Sequence, residues 1–182
     1  MILLIIPGWK QTSKDWKLLN DKLEYKLQSS VIDIPGFGIE PLIDQDWDIT
    51  DYSNWVRKRI ETEYKNEDIC LIGHSFGGKI ACEIASNQPE WLKLLIIISS
   101  PLLYRPNLKT KVLKSLAKIS PTVIKNKFQM FSSEDYRNVK GTSLEKIFKK
   151  SINLDQTEQL KNIDVKTVLI WGEKDEYVPR KW

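Results

Sequence analysis

The residues best suited to chemistry in this chain form the stretch Gly73-His74-Ser75-Phe76-Gly77, followed by Gly78. An apolar run leads into it, and helix-forming residues follow. A serine at such a strand-to-helix turn is held in a strained backbone conformation, which presents its hydroxyl and leaves the next amide N–H free. Because glycines stand two residues either side of Ser75, where a β-carbon would clash, the pattern predicts a nucleophile elbow.

Five apolar runs are predicted to form the parallel sheet that positions this serine. They cover residues 2–6, 30–34, 68–72, 92–98 and 166–171. Continuous apolar runs are typical of strands that are buried on both faces.

Helices are predicted between these strands. One begins after Thr12-Ser13 with Trp16, Leu19 and Leu23 on one face, a second is capped by Thr50 or Asp51, and a third covers 79–86. The alternation predicts an α/β three-layer sandwich with a mostly parallel sheet.

About sixty residues separate the last two predicted strands, whereas a simple crossover needs one helix of about a dozen residues. This segment, 102–163, is predicted to be a helical cap, and 1–101 with 164–182 to be the core. Its helical patterns cover 108–119, 121–131, 144–152 and 155–163. Its larger apolar residues are expected either to roof a pocket or to form the core of the cap, the commoner case at helical spacing; they are Tyr104, Met130, Phe131 and Phe148.

The composition excludes several classes of protein. The 182 residues suit one globular domain, and the formal charge of +4 is spread along the chain, so nucleic-acid binding has little support. Residues 102–165 carry 13 Lys and Arg against 6 Asp and Glu, which is interpreted first as a solvated helical surface. Nucleic acid is therefore not expected as a partner.

The cysteines and the N-terminus bear on location. Cys70 and Cys82 both occupy apolar positions, so no disulfide framework is expected. The apolar run 1–6 lacks a positively charged start and is too short for a signal peptide or a membrane span. The chain is therefore predicted to be cytoplasmic and without a membrane span.

Four motifs, in order, resemble those of the α/β-hydrolase superfamily. They are Ile6-Pro7-Gly8-Trp9, Asp33-Ile34-Pro35-Gly36-Phe37-Gly38, Gly73-His74-Ser75-Phe76-Gly77-Gly78 and Trp171-Gly172-Glu173-Lys174-Asp175. The resemblance covers nearly the whole chain. It implies that the five strands have the order 2-1-3-4-5, with a ligand site where the order reverses between the first strand and the elbow strand.

The resemblance also implies roles for particular residues. Ser75 matches the nucleophile, Asp175 matches the acid that orients the base, and the backbone N–H groups of Trp9 and Phe76 match the oxyanion hole. Pro7 stands where the family usually has histidine, but the donor at Trp9 does not depend on that side chain. The implied pocket consists of Gly8, His74, Tyr104, Met130 and Val178. Neither a metal nor a cofactor is expected.

The main departure from the family is the base. A serine hydroxyl needs a neighbouring base, which in the family is a histidine after an eighth strand, about 25 residues beyond the acid. The only histidine here is His74, whose side chain should diverge from that of Ser75 around the sharp turn. Because the sequence stops seven residues after Asp175, truncation before a further strand, histidine loop and helix is favoured over natural loss of the base.

Two functional hypotheses follow. The first is a serine hydrolase for an ester, amide, thioester or similar bond of a small, largely apolar substrate, with weak or no activity in this chain. The second is a non-catalytic module that binds a ligand or a partner. A further expectation is self-association through the open edge of the last strand, with its apolar row through Val168 and Ile170. A reading frame that continues beyond residue 182 to a histidine-containing loop would favour the enzyme.

Overall fold

The computed structural model describes residues 1–24, 26–44, 46–103 and 134–178, in which five strands form one parallel sheet. The strands are β1 (Ile2–Ile6), β2 (Ser29–Val31), β3 (Ile69–His74), β4 (Leu92–Ile98) and β5 (Thr167–Ile170). Their spatial order is β2-β1-β3-β4-β5, so the predicted order 2-1-3-4-5 is confirmed. The order reverses between β1 and β3, and ligands bind beyond the carboxyl ends of strands at such a point.

The helices of the described residues alternate with these strands. They are α1 (Ser13–Glu24), α2 (Ile49–Glu63), α3 (Phe76–Ser86), α4 (Glu134–Val139), α5 (Glu145–Ile152) and α6 (Thr157–Lys161). The larger hydrophobic core contains residues of α2 and α3 and the side chains of one sheet face, including Leu4 and Leu71, which are fully buried. The two glycines at the start of α3 let this helix pack closely against the sheet.

The opposite face of the sheet is covered less completely in the described residues. Trp16 and Leu23 of α1 pack there against a smaller cluster that includes Ile5 and Ile72. Leu19 was predicted on the same helix face, but it is 39% exposed. At about 100° per residue, Leu19 lies about 60° around the helix from Trp16 and about 40° from Leu23, at the margin of the contact with the sheet.

The open edge of the sheet is β5. It pairs with β4 in parallel register, from Leu95 opposite Thr167 to Ile98 opposite Ile170. No strand within the described ranges pairs with its other side. All four of its residues are exposed, Leu169 to 64%. This is the exposed apolar edge that the sequence predicted, whereas self-association through it stays a prediction.

Several predicted boundaries differ from the structure: β3 ends at His74, α3 begins at Phe76 and β5 covers Thr167–Ile170, and two further differences follow from side-chain bonds. The second strand was placed at 30–34, but β2 ends at Val31 because Asp33 turns its carboxylate toward the start of α1, accepting from the amide of Ser13 at 2.6 Å and from its hydroxyl at 2.9 Å. Thr50 or Asp51 was predicted to cap α2. The cap is Asp48, whose carboxylate accepts from the backbone amides of Thr50 and Asp51. The Asp51 carboxylate in turn accepts from the Asp48 amide at 2.9 Å.

The segment between β4 and β5 is described from residue 134 onwards. The predicted pieces 144–152 and 155–163 correspond to α5 and the shorter α6, and α4 was not predicted. The pieces 108–119 and 121–131, together with Tyr104, Met130 and Phe131, lie outside the described residues. The division into core and cap stays a prediction. Among the helices described, none is long and apolar enough to cross a membrane.

Candidate active site

Ser75 lies at the sharp turn between β3 and α3. Its backbone has φ +50° and ψ −111°, a conformation that costs a non-glycine residue about 1–3 kcal/mol. Its amide donates to Ile98 O at 3.0 Å, and its carbonyl accepts from the Ser100 hydroxyl at 2.6 Å. Its side chain makes no capping hydrogen bond to α3. The turn is therefore fixed through backbone bonds, and the hydroxyl is not used to cap the helix.

Close backbone packing requires the three glycines around Ser75. A β-carbon on Gly73 would lie 2.6 Å from both Gly77 O and Gly78 Cα. One on Gly77 would overlap the carbonyl oxygens of Ile6 and Pro7, and one on Gly78 would lie 2.5 Å from the β-carbon of Ser100. The elbow therefore fits directly against the end of β1, which brings Ser75 to the point where the strand order reverses.

The two residues predicted to supply backbone donors, Phe76 and Trp9, pack against each other at this point. Phe76 is the first residue of α3, where amide N–H groups lack intrahelical acceptors and the helix dipole is positive. Trp9 lies in the loop after β1, and its ring centroid is 5.1 Å from that of Phe76. Neither amide donates to an acceptor within the described ranges. The arrangement is compatible with the predicted oxyanion hole, which stays a prediction.

The loop that carries Trp9 is held by Gln11, which the sequence analysis missed. The Gln11 side-chain oxygen accepts from the Gly8 amide at 2.9 Å and the Trp16 indole N–H at 3.2 Å, and lies 3.0 Å from His74 Nδ1. The Gln11 amide in turn donates to Gly8 O at 3.0 Å. The only sequence signal was a polar side chain three residues after a loop glycine, within reach of its amide.

His74 lies beside this loop, and its place in a substrate pocket stays a prediction. A β-carbon on Gly8 would come within 2.7 Å of His74 Nδ1, so only glycine fits there without displacing the ring. The ring also lies 5.6 Å from that of Trp16. Burial lowers the pKa of His74, and the Asp175 carboxylate partly opposes this shift. The imidazole is therefore neutral at pH 7 and directed at the β1 loop.

Asp175 lies in the loop after β5. Its Oδ1 accepts from the amides of Val178 at 2.8 Å and Tyr177 at 3.0 Å. These bonds and one from the Ser99 hydroxyl lower the pKa of Asp175, so it is a carboxylate at neutral pH. Val178, predicted in the pocket, is 8% exposed, and its carbonyl accepts from the Trp171 indole at 2.8 Å. The loop thus presents a fixed anion near His74.

Aromatic rings form an apolar wall beside the elbow. The Trp9 ring lies 4.9 Å from that of Phe37 and 5.0 Å from that of Phe148, in edge-to-face arrangements. Phe76 contacts Tyr52, whose hydroxyl donates to Pro35 O at 3.0 Å. Because Phe148 belongs to α5, the segment between β4 and β5 reaches the site. The wall suits an apolar group rather than a charged one.

A buried lysine, which the sequence did not indicate, joins α3 to the segment between β4 and β5. Lys79 of α3 is 3% exposed, and its ammonium group donates to Ser151 O in the last turn of α5 at 2.6 Å. The side chain of Gln156 donates to Lys79 O at 2.9 Å. Burial lowers the pKa of Lys79 to about 8. In the described residues, no group of histidine, cysteine and carboxylate side chains has the arrangement of a metal site.

Comparison with known proteins gives a consistent picture. Residues 2–150 match the family described as alpha/beta hydrolase fold. The chain is 29% identical over 201 residues to the pimeloyl-[acyl-carrier protein] methyl ester esterase of Legionella pneumophila (strain Corby), covering all of this chain and 78% of that protein. It is 32% identical over 100 residues to the enzyme of that name from Aeromonas salmonicida, covering 54% of this chain and 37% of that protein.

Solved structures of similar shape show the same fold. An esterase from Exiguobacterium antarcticum superposes with a TM-score of 0.72 at 18% identity, covering all of this chain and 76% of the other. A bromoperoxidase from Bacillus anthracis gives a TM-score of 0.71 at 16% identity, covering 98% of this chain and 75% of the other. At such identities the likeness concerns the fold alone.

Proposed function

Because the chain belongs to the α/β-hydrolase fold family, we propose that it is a serine ester hydrolase in which Ser75 is the nucleophile. The observation that carries the proposal is the backbone of Ser75, held at φ +50° by packing that only glycines permit. Strain of this kind persists where the surrounding structure imposes it, and it concentrates at functional sites. A turn that only connected β3 to α3 would not require it.

The proposed reaction is acyl transfer through the serine. The Ser75 hydroxyl oxygen attacks the ester carbonyl carbon and passes its proton to water, and the carbonyl oxygen becomes an oxyanion. The amides of Trp9 and Phe76 donate to that oxyanion. The bond to the alcohol oxygen then breaks, the alcohol leaves with a proton, and water hydrolyses the acyl-serine to a carboxylic acid and free Ser75. Amide donors of this kind are worth about 10² to 10³ in rate.

The base is the part that these 182 residues do not supply in the expected form. The single histidine, His74, is directed at Gln11 and the β1 loop. Asp175, a carboxylate in the loop after β5, is proposed to orient such a base. We therefore expect slow hydrolysis of activated esters, at about 10³ to 10⁴ over water, which is the residual catalysis of a triad site without its base.

The acyl part of the substrate is proposed to be apolar. The aromatic wall formed by Trp9, Phe37, Phe76 and Phe148 offers it no charged partner. The relatives named above act on a methyl ester of a pimeloyl group attached to an acyl-carrier protein. A methyl ester of a chain-like acyl group is the specific substrate class that we propose for this protein.

The experiment compares p-nitrophenyl butyrate hydrolysis by the wild type, Ser75→Ala and Asp175→Asn, with Ser86→Ala as a matched control at the far end of α3. We expect Ser75→Ala to abolish turnover above background and Ser86→Ala to leave it unchanged. Turnover that survives in Ser75→Ala would contradict the proposal. Calorimetric binding of the methyl ester of a medium-chain acid without any turnover would favour the alternative, a binding module.

A fusion tests the role of the base. About forty residues from the C-terminus of a related hydrolase, carrying one strand, one histidine loop and one helix, are attached after residue 182. General-base assistance is worth about 10² to 10⁴ in rate, and hydrolysis should rise accordingly. The control fusion has alanine in place of the added histidine and must melt at the same temperature. Equal rates for the two fusions would show that Asp175 and Ser75 are not arranged for triad chemistry.

A further inference from the structure

Three N–H groups from three parts of the chain converge on one oxygen beside the elbow. Gln11 Oε1 accepts from the Gly8 amide at 2.9 Å and from the Trp16 indole at 3.2 Å. His74 Nδ1 lies 3.0 Å from the same atom. The first two groups can only donate, so the oxygen, and not the amide nitrogen of Gln11, must face them. For the same reason His74 must carry its proton on Nδ1 and leave Nε2 unprotonated.

We propose that Gln11 is a positioning residue for the oxyanion hole and for the tautomer of His74. The inference deepens the proposed function, on which its catalytic part rests. Gly8 directly precedes Trp9: the Gln11 side chain holds the Gly8 amide at 2.9 Å, and the Gln11 backbone amide donates at 3.0 Å to Gly8 O, the carbonyl of the peptide group that carries the Trp9 N–H. Through Trp16 the same oxygen ties the loop to α1, and through His74 it ties the loop to the residue before Ser75.

The identity of residue 7 explains why the loop needs this support. Pro7 has no amide hydrogen and no polar side-chain atom, so it cannot donate a hydrogen bond that fixes the loop. Glycine at position 8 leaves room for the Gln11 side chain, since a β-carbon there would lie 2.9 Å from Gln11 Oε1. Glycine alone would leave the loop flexible. Gln11 therefore supplies the rigidity that Pro7-Gly8 does not.

The first measurement is nuclear magnetic resonance of the imidazole nitrogens. The chain has one histidine, so the signals need no assignment if the affinity tag contains none. At about pH 8, where His74 is neutral, the wild type should show the Nδ1–H tautomer. Gln11→Leu should shift the population toward Nε2–H, because the acceptor that selects Nδ1–H is gone. Gln28→Leu, at an exposed glutamine just before β2, is the matched control and should retain the wild-type tautomer.

The second measurement is the rate at which p-nitrophenyl acetate acetylates the protein. Because a small misplacement of a donor costs about 10²-fold in rate, Gln11→Leu should slow acetylation by about 10- to 100-fold with a change in KM below about 3-fold. Gln11→Glu keeps an acceptor for all three donors and should stay within about 3-fold of the wild type. Gln28→Leu should match the wild type.

The outcomes separate this inference from the proposed function. A wild-type chain that is not acetylated overturns the proposed function and with it the catalytic part of the inference. A wild type that reacts, with Gln11→Leu reacting equally fast, overturns the inference alone. A wild-type His74 in the Nε2–H form also overturns it, because Nδ1 could then not donate to Gln11 Oε1.

Discussion

Replacing Lys79 by methionine should change how the stability of the protein depends on pH. Lys79 is 3% exposed, and burial lowers the pKa of its ammonium group from 10.5 to about 8. At about 1.36 kcal/mol per pH unit, keeping this group charged in the folded state costs roughly 3 kcal/mol at pH 7. Methionine has a similar length and no charge, but it also removes the bond to Ser151 O. Loss of that bond costs about 1–3 kcal/mol, so the two effects nearly cancel at pH 7.

The sign follows from which state binds the proton. Below about pH 8 both the folded and the unfolded chain hold the Lys79 proton, and the burial cost is present in full. Between about pH 8 and 10.5 the folded chain releases it while the unfolded chain keeps it, so the free energy of unfolding rises with pH. From pH 7 to pH 9 the gain is about 1 kcal/mol. Methionine removes this gain.

Urea denaturation of the wild type and Lys79→Met at pH 7, 8 and 9 measures the difference. Burial also raises the pKa of Cys82 to about 12, and ionisation of the unfolded thiol lowers stability above about pH 9. That effect is shared by both proteins and is removed by subtraction. Lys58→Met, at an exposed position on α2, is the control and should run parallel to the wild type. A difference between wild type and Lys79→Met that stays constant from pH 7 to pH 9 would refute the reasoning.

Three further predictions concern stability and association. Gly77→Ala should destabilise the fold by roughly 1–3 kcal/mol or more in urea denaturation. The control, Gly172→Ala, should change stability by less than about 0.5 kcal/mol, because the nearest atom to a β-carbon there is 3.8 Å away. Equal effects of the two substitutions would show that the elbow tolerates a side chain. Tyr52→Phe should lower the free energy of unfolding by about 1–2 kcal/mol, because it leaves Pro35 O without its donor. Tyr177→Phe is the control and should be neutral, since Tyr177 is 93% exposed. A Tyr52→Phe protein as stable as the wild type would contradict the role of that bond. The wild type should self-associate through β5, and Leu169→Lys should reduce the mass seen by light scattering; a monomeric wild type at tens of micromolar would be the opposite result.

The strands could be predicted from the sequence because buried parallel strands are continuous apolar runs, whereas their order followed only from the resemblance to the α/β-hydrolase superfamily. Such runs are visible without any tertiary information, and β4 was predicted at its observed bounds. Boundaries that are fixed by side-chain hydrogen bonds were harder to predict from the sequence. The cap of α2 depends on which carboxylate turns back on the chain, and Asp48 and Asp51 are both suitable residues.

The candidate site was predictable only where a local motif carries it. Ser75 and its glycines form one contiguous stretch, so their placement could be argued directly. Gln11 and Lys79 act through partners 63 and 72 residues away in the chain, and nothing in their own neighbourhoods indicates those contacts. Likewise, the exposure of Leu19 depends on how much of a sheet face a single helix can cover.

The central claim is that Ser75 is the nucleophile, and acetylation of the protein by p-nitrophenyl acetate tests it most directly. The reacted chain is digested and mapped by mass spectrometry, with Ser75→Ala and Ser86→Ala treated in parallel. The account predicts one acetyl group on Ser75 in the wild type and in Ser86→Ala, and none at that position in Ser75→Ala. Acetylation confined to surface lysines, at equal rates in all three proteins, would contradict it.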